Sequence, residues 1–355
     1  MTFRYFLLLL LLGVASFYAV YVDWTSQIKN PEAFSAENVE LLLYHSMNAE
    51  ELADFLEVNE VEFDRDQFFW AARVLNRNNF LSGRYVLDGE ADYNSFLGKL
   101  ARGEQDPKRI IVRAGQTYER FFNRVPTQFR FTSEDLRQAM THEVYIREEL
   151  DLEPHLLFGR MIPNTYEMFW TITPQQFIER MLVEFDRAVT PLKDRAEEAG
   201  LTLDELLTFA SIVELEALHD VEKPKIAGLY WNRLNQRWRL QADPTVTYAL
   251  GERRRLTFAD YRTDHPYNTY RIFGLPPGPI TNPAMSSILA VLEPESHPYM
   301  FMVATPEGFH TFTRTYDAHR RESAKWTQWL REQRQIRAAR EREQLRQQQL
   351  LQAIL

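Results

Sequence analysis

Residues 202–216 end a strongly apolar segment with two carboxyl groups, Glu214 and Glu216. Thr202 followed three residues later by Glu205 is a capping-box pattern, which predicts a helix starting at that point. At 100° per residue, Leu203, Leu207, Ala210, Glu214 and Leu218 fall within about 40° of one line. Glu214 is therefore expected inside the apolar stripe. Glu216 is expected roughly opposite, beside Glu205, where water can solvate it. A carboxyl group on an apolar face is costly when ionised and holds its proton to higher pH. A general acid working near neutrality needs that property. The same geometry also suits a buried structural glutamate paired with an arginine or with backbone donors.

The segments that follow could line a groove. Residues 225–234 continue as a helix, and Gln241-Ala242-Asp243-Pro244 gives a polar turn into a short one. His265-Pro266-Tyr267-Asn268-Thr269-Tyr270 and residues 274–283, rich in Pro and Gly, read as rigid irregular segments. Aromatics that stack and amides or carboxylates that bind hydroxyls suit a sugar. By residue type, Gln241, Asp243, Tyr267, Asn268 and Tyr270 are the candidates for holding it. Asp243-Pro244 reads equally well as a helix-start cap with a first-turn proline. The eight histidines make no metal-ligand spacing, and no phosphate-cradling or dinucleotide motif is present. No metal or other cofactor is expected.

These segments must be held by a chain of 355 residues, room for two to three domains of roughly 100–150 residues. The 45% hydrophobic content is that of a globular protein, and the net charge of −9 argues against nucleic acid as a partner. With no cysteine, thiolate metal sites and cysteine nucleophiles are excluded. Residues 5–22 carry no charge, and eighteen residues at 1.5 Å each span about 27 Å, near the thickness of a bilayer core. A retained transmembrane anchor is expected there; a cleaved signal peptide is the rival reading. Arg4 before the span and Asp23 after it place the bulk of the chain outside the cytoplasmic membrane. Residues 25–36 read as a polar linker. Next come a strand over 39–44, helices opened by Asn48 and Asp64, a strand over 83–87 and a helix from Asp92 to Arg102. That unit has the size of a LysM-like carbohydrate-binding module, or of a spacer. Helix starts are expected at Thr132-Ser133 and at Thr173-Pro174. The C-terminal piece from Asp317 reads as one long solvated helix with nine bases against five acids, its end made sticky by Leu350, Leu351, Ile354 and Leu355.

Phe209-Ala210-Ser211-Ile212-Val213-Glu214, residues 241–246, residues 267–270 and residues 274–279 together resemble the endolytic murein transglycosylases of the MltG or YceG-like family. Gly159–Tyr166 and His310-Thr311-Phe312 match further landmarks, and the likeness spans about residues 36–320. Ala114 and Asn164 stand where acids are usual, and Ala242 where Ser or Thr is more common. The resemblance implies an α+β protein. It would comprise a cytoplasmic stub and anchor over 1–24, a LysM-like subdomain over 36–107, a catalytic domain over 108–320 and a charged helical tail over 321–355. It implies cleavage of the β-1,4 bond between N-acetylmuramic acid and N-acetylglucosamine in peptidoglycan, leaving 1,6-anhydro ends. Glu214 would be the catalytic acid and base, on the cell-wall side of the inner membrane, with peptidoglycan synthases as candidate partners. The alternative is a membrane-tethered peptidoglycan-binding scaffold without activity.

Overall fold

The computed structural model describes the backbone of residues 2–354 and the side chains of residues 7, 8 and 10–348. It is a mixed α+β protein that divides into two compact units. The first holds residues 1–110, 124–135 and 165–174, and the second residues 111–123, 136–164 and 175–355.

The first unit opens with helix α1 (Thr2–Ile28), along which Leu7, Leu8 and Leu10–Leu12 are exposed. No helix among the described residues is long and apolar enough to cross a membrane. The side chains of Tyr5, Phe6 and Leu9, part of the expected span, lie outside those described. The expected linker over 25–36 is instead ordered: α1 runs through it to Ile28, and strand β1 (Phe34–Leu43) begins within it. In the last turns of α1 the Thr25 and Ser26 hydroxyls bond back to the carbonyls of Tyr21 and Asp23. Then follow α2 (Ala49–Val58), β2 (Glu62–Phe63), α3 (Arg65–Val74), β3 (Gly83–Ala91) and α4 (Tyr93–Arg102). The sheet order is β2-β1-β3, all antiparallel, with Leu41 opposite Tyr85 and Leu43 opposite Gly83. Local chemistry sets the helix starts. Asn48 accepts from the Glu50 and Glu51 amides while Glu51 accepts from its own, and Asp64 and Asp92 cap α3 and α4. Alternate β1 residues turn inward, where Phe34 meets the rings of Phe63, Phe68, Tyr93 and Phe96.

Strands β4 (Lys108–Val112) and β5 (Asn164–Met168) form a two-stranded sheet. Between them lie α5 (Tyr118–Arg124), α6 (Ser133–Thr141) and α7 (Pro154–Leu157); α8 (Pro174–Ala188) and α9 (Lys193–Glu198) follow. The core of the second unit is built on α10 (Leu203–Glu216), packed by α11 (Lys223–Asn235), α12 (Asp243–Leu250) and α13 (Met285–Leu292). A hairpin of β6 (Phe301–Ala304) and β7 (His310–Thr313) precedes α14 (Tyr316–Ile354). The C-terminal leucines and Ile354 expected to be sticky lie outside the described side chains.

The capping box at Thr202 forms as the sequence predicts, with both reciprocal bonds made. The single apolar stripe does not. Every residue from Leu206 to Val213 is buried, because neighbouring helices surround α10 rather than covering one side. The helix ends at Glu216, Ala217 is extended, and Leu218 is left 72% exposed.

Candidate functional site

Glu214 sits on the last turn of α10, its side chain 11% exposed. Its two oxygens are treated very differently. Oε2 accepts from Lys223 Nζ at 2.9 Å, the Ala284 backbone amide at 3.1 Å and Ser287 Oγ at 2.5 Å. Oε1 accepts no hydrogen bond among the described residues and faces Gly115, where a Cβ would lie 3.6 Å from it. Gly115 has φ +64°, which favours glycine on backbone grounds as well. The carboxyl group thus presents one bound oxygen and one open one.

Three segments distant in sequence meet here, and Asn282 ties them together. Its side-chain amide donates to the carbonyls of Arg113 at 2.8 Å and Met161 at 3.0 Å, while Oδ1 accepts from the Gln116 amide. Its own carbonyl accepts from Gly115 N–H, and Thr281 Oγ1 donates to the Gln116 carbonyl. Ser211, buried on α10, accepts from the Ile280 amide and so seats the Pro-Pro-Gly segment on the helix that carries Glu214. Gly159 is needed for the same packing, since Pro279 lies where a side chain would start.

Glu216 is not solvated as its helix position suggested. It is half-buried, and Tyr230 on α11 donates to its Oε1 at 2.7 Å. Burial, opposed by that bond and reinforced by the nearby Asp243 charge, pushes its carboxyl up to about 7. The expectation failed because α11 and α12 close over that side of α10. Asp243 is exposed at the first position of α12 and accepts from Tyr270 at 2.6 Å and Tyr261 at 3.2 Å. The cap position belongs to Ala242, so Asp243 does not serve as the helix cap. Burial and the Asp243 charge push the Tyr270 phenol well up, so it stays a donor.

The other expected sugar ligands divide. Gln241 has φ +51°, is half-buried, and its side chain makes no hydrogen bond among the described residues. Its amide joins the Thr269 carbonyl, and Thr269 and Thr245 hydroxyls lock that loop to α12. Tyr267 is buried with its ring against Tyr248. Asn268 is fully buried and spends its side chain on the Tyr261 and Thr263 carbonyls and the Tyr270 amide. These bonds close the loop that carries Tyr270. Gln241, Asp243 and Tyr270 remain near one another. Lys223, Ser287, Asn282 and Tyr261 were missed. Among them Asn282 carried a signal, as a member of the rigid 274–283 segment, whereas Lys223, Ser287 and Tyr261 lie outside the segments singled out.

The YceG-like family model matches residues 43–325. An endolytic murein transglycosylase of Bacillus subtilis is 27% identical over 317 residues, covering 85% of this chain and 88% of the relative. One of Streptococcus pneumoniae is 26% identical, covering 72% of this chain and 52% of its own length. A crystal structure of a Listeria monocytogenes protein described as YceG-like superposes with a TM-score of 0.56 at 28% identity, over 81% of this chain and 99% of that one. The match over residues 43–325 takes in both halves of the site, the α10 glutamate and the 280–287 segment that binds it. This chain belongs to the YceG-like family.

Proposed function

We propose that this chain is an endolytic murein transglycosylase, which cuts the N-acetylmuramic acid–β-1,4–N-acetylglucosamine bond within glycan strands and leaves 1,6-anhydro ends. The observation that carries the reading is Glu214, held through Oε2 with Oε1 open beside Gly115; the relatives' names agree with it. The reaction needs one carboxyl group, because the nucleophile is the sugar's own C6 hydroxyl. Glu214 donates a proton from Oε1 to the glycosidic oxygen as the bond to C1 breaks. The same oxygen then takes the C6 hydroxyl proton as O6 closes on C1. A hydrolytic glycosidase requires a second carboxylate to act as nucleophile or to activate water. Here the attack is intramolecular and gains from high effective concentration. Asp243, with acceptor capacity left after two tyrosine bonds, Gln241 and Tyr270 would hold the glycan's hydroxyls.

A second reading puts the donated proton on Glu216, whose carboxyl is pushed up to about 7 by burial. Glu216 accepts only from Tyr230, through Oε1, so it too has an oxygen without a hydrogen bond among the described residues, and it lies near Asp243 and Tyr270. Glu214 by contrast is ion-paired to Lys223 and open towards Gly115. Digestion of purified glycan strands by the parent, Glu214→Gln and Glu216→Gln separates the two, read as anhydro-ended muropeptides by mass spectrometry. Loss of about 10²–10⁴-fold in Glu214→Gln alone is expected, the usual contribution of acid–base help. Loss in Glu216→Gln alone moves the proton to Glu216. A parent that releases no anhydro ends at any pH would instead be a binding scaffold.

The rest of the chain fits a wall-facing enzyme. The exposed apolar residues of α1, from Leu7 to Val22, support membrane attachment, with the chain from Thr25 onward on the cell-wall side of the inner membrane. Removal of residues 1–24 should then release the protein from membranes. A cleft of about 590 Å³ in the first unit, lined by Asn48, Phe69, Arg73, Asn76, Arg77 and Asn78, supports a LysM-like sugar-binding role for residues 36–107. Residues 108–320 would form the catalytic domain and 321–355 an appended tail, with peptidoglycan synthases as partner candidates.

A further inference from the structure

We infer that Arg239, held over the ring of Phe273, is a specificity residue that takes a carboxylate pendant on the glycan strand. The inference rests on the chain being a glycan-strand transglycosylase, and not on which glutamate handles the proton. Arg239 lies in the connection between α11 and α12, two residues before Gln241, and Phe273 follows Tyr270 by three. The two segments that present the candidate sugar ligands therefore also present this pair. They are joined by the Gln241 amide, which donates to the Thr269 carbonyl at 3.1 Å, and by the Ala242 amide, which donates to Thr269 Oγ1 at 3.0 Å.

The guanidinium is held in place but left unsatisfied. Its Cζ lies 4.8 Å from the Phe273 centroid, within cation–π range. Arg239 is half-buried, makes no hydrogen bond or ion pair among the described residues, and has its Nε enclosed without an acceptor. Donors taken from water and left unpaired are a standing cost, which an anion at the terminal nitrogens offsets. Other arginines of the same unit are spent internally: Arg233 on the Leu240 and Met300 carbonyls, Arg254 on Asp260. The backbone around Arg239 is pinned as well. The Trp238 amide donates to the Arg233 carbonyl at 2.8 Å, its ring meets Phe301 edge-on, and Leu240 and Ala242 are fully buried. A cation presented from so fixed a base loses little freedom when a ligand binds. Arg237 and Arg271, both exposed, add positive charge in the same two segments and make no ion pair among the described residues.

A planar guanidinium fork recognises a planar carboxylate through parallel bonds. The sugar rings of the strand are neutral. Its carboxylates hang from N-acetylmuramic acid, on the lactyl group where no peptide is attached and on the peptide where one is. An arginine that grips such a group beside Gln241, Asp243 and Tyr270 fixes where along the strand a muramic acid residue sits. It thereby sets the register of the cut.

The test uses the full-length parent, Arg239→Gln and Arg239→Lys at pH 7. The substrates are glycan strands with peptide stems and strands stripped of them, each with carboxyls left free or converted to methylamides. Initial rates of anhydro-end formation give kcat and KM, and urea unfolding run alongside identifies any variant that does not fold. In the parent, conversion to methylamides should raise KM about tenfold, the usual worth of a charge-assisted hydrogen bond. Arg239→Gln should raise KM about tenfold on free-carboxyl strands with little change in kcat, and should lose most of the distinction between free and blocked strands. Arg239→Lys keeps the charge without the fork and should fall between the two. The strands on which the distinction appears name its source: stemmed strands the peptide's carboxylates, stripped strands the lactyl group's. A folded Arg239→Gln with the parent's KM on free-carboxyl strands overturns the inference, as does one whose KM rises equally on free and blocked strands. If Arg239→Gln does not fold, a parent that cuts free and blocked strands with equal KM overturns it. A parent that releases no anhydro ends from any of the strands instead removes the reading on which it rests.

Discussion

Glu216→Gln should stabilise the protein, and by an amount that grows with pH. The carboxyl moves from its ordinary 4.5 to about 7 because burial disfavours its charge more than the Tyr230 bond favours it. Below pH 4.5 the group is protonated in folded and unfolded chains alike and contributes no difference. Between 4.5 and 7 the unfolded chain loses the proton while the fold retains it, so stability falls as pH rises. Above 7 both states are ionised and the penalty is complete. At about 1.4 kcal/mol per tenfold, the ceiling is about 3 kcal/mol. Glu216 keeps some contact with water, which screens the charge, so about 1–3 kcal/mol is expected. The glutamine can still accept from Tyr230, and it removes the repulsion from Asp243. Urea unfolding of parent and variant, followed by tryptophan fluorescence at several pH values, isolates the term as a difference, because titrations not coupled to Glu216 cancel. The variant's advantage should be full at pH 8 and vanish towards pH 4.5. An advantage that is constant across that range, or largest at low pH, would refute the reasoning.

Gly115→Ala should cost about 1 kcal/mol for a left-handed alanine and reduce kcat, because the new methyl sits before Oε1; unfolding and turnover measured together check it. Asn282→Ala should lose about 1–3 kcal/mol or more in urea, since it leaves the buried Arg113 and Met161 carbonyls without donors. Asp243→Asn should raise KM for glycan several-fold with kcat nearly unchanged, if its role is to accept sugar hydroxyls; a lowered kcat at constant KM would point to the chemical step instead.

What the sequence discloses depends on how local the cause is. Thr202 with Glu205 and Asn48 with Glu51 are pairs three residues apart, so both helix starts are legible. The helix that carries Glu214 and Glu216 is legible, although the single apolar stripe expected on it is surrounded by protein. The surroundings of Glu216 are not, because Tyr230 and Asp243 arrive on other helices. Asn268 shows a limit of residue type: a short polar side chain in a tight loop bonds its own backbone as readily as a ligand. Lys223 lies beyond a break between two helices, and no helical spacing relates it to Glu214.

The bonds from Asn282 to residues 113 and 116 close loops of more than 160 residues. Contacts of that range form late, since the whole intervening chain must first be ordered. A chain still being synthesised has α10 and its glutamate long before it has residues 280–287, and until then Glu214 lacks two of its three anchors and the glycine segment is unplaced. Competence to cut therefore begins only when most of the polypeptide exists.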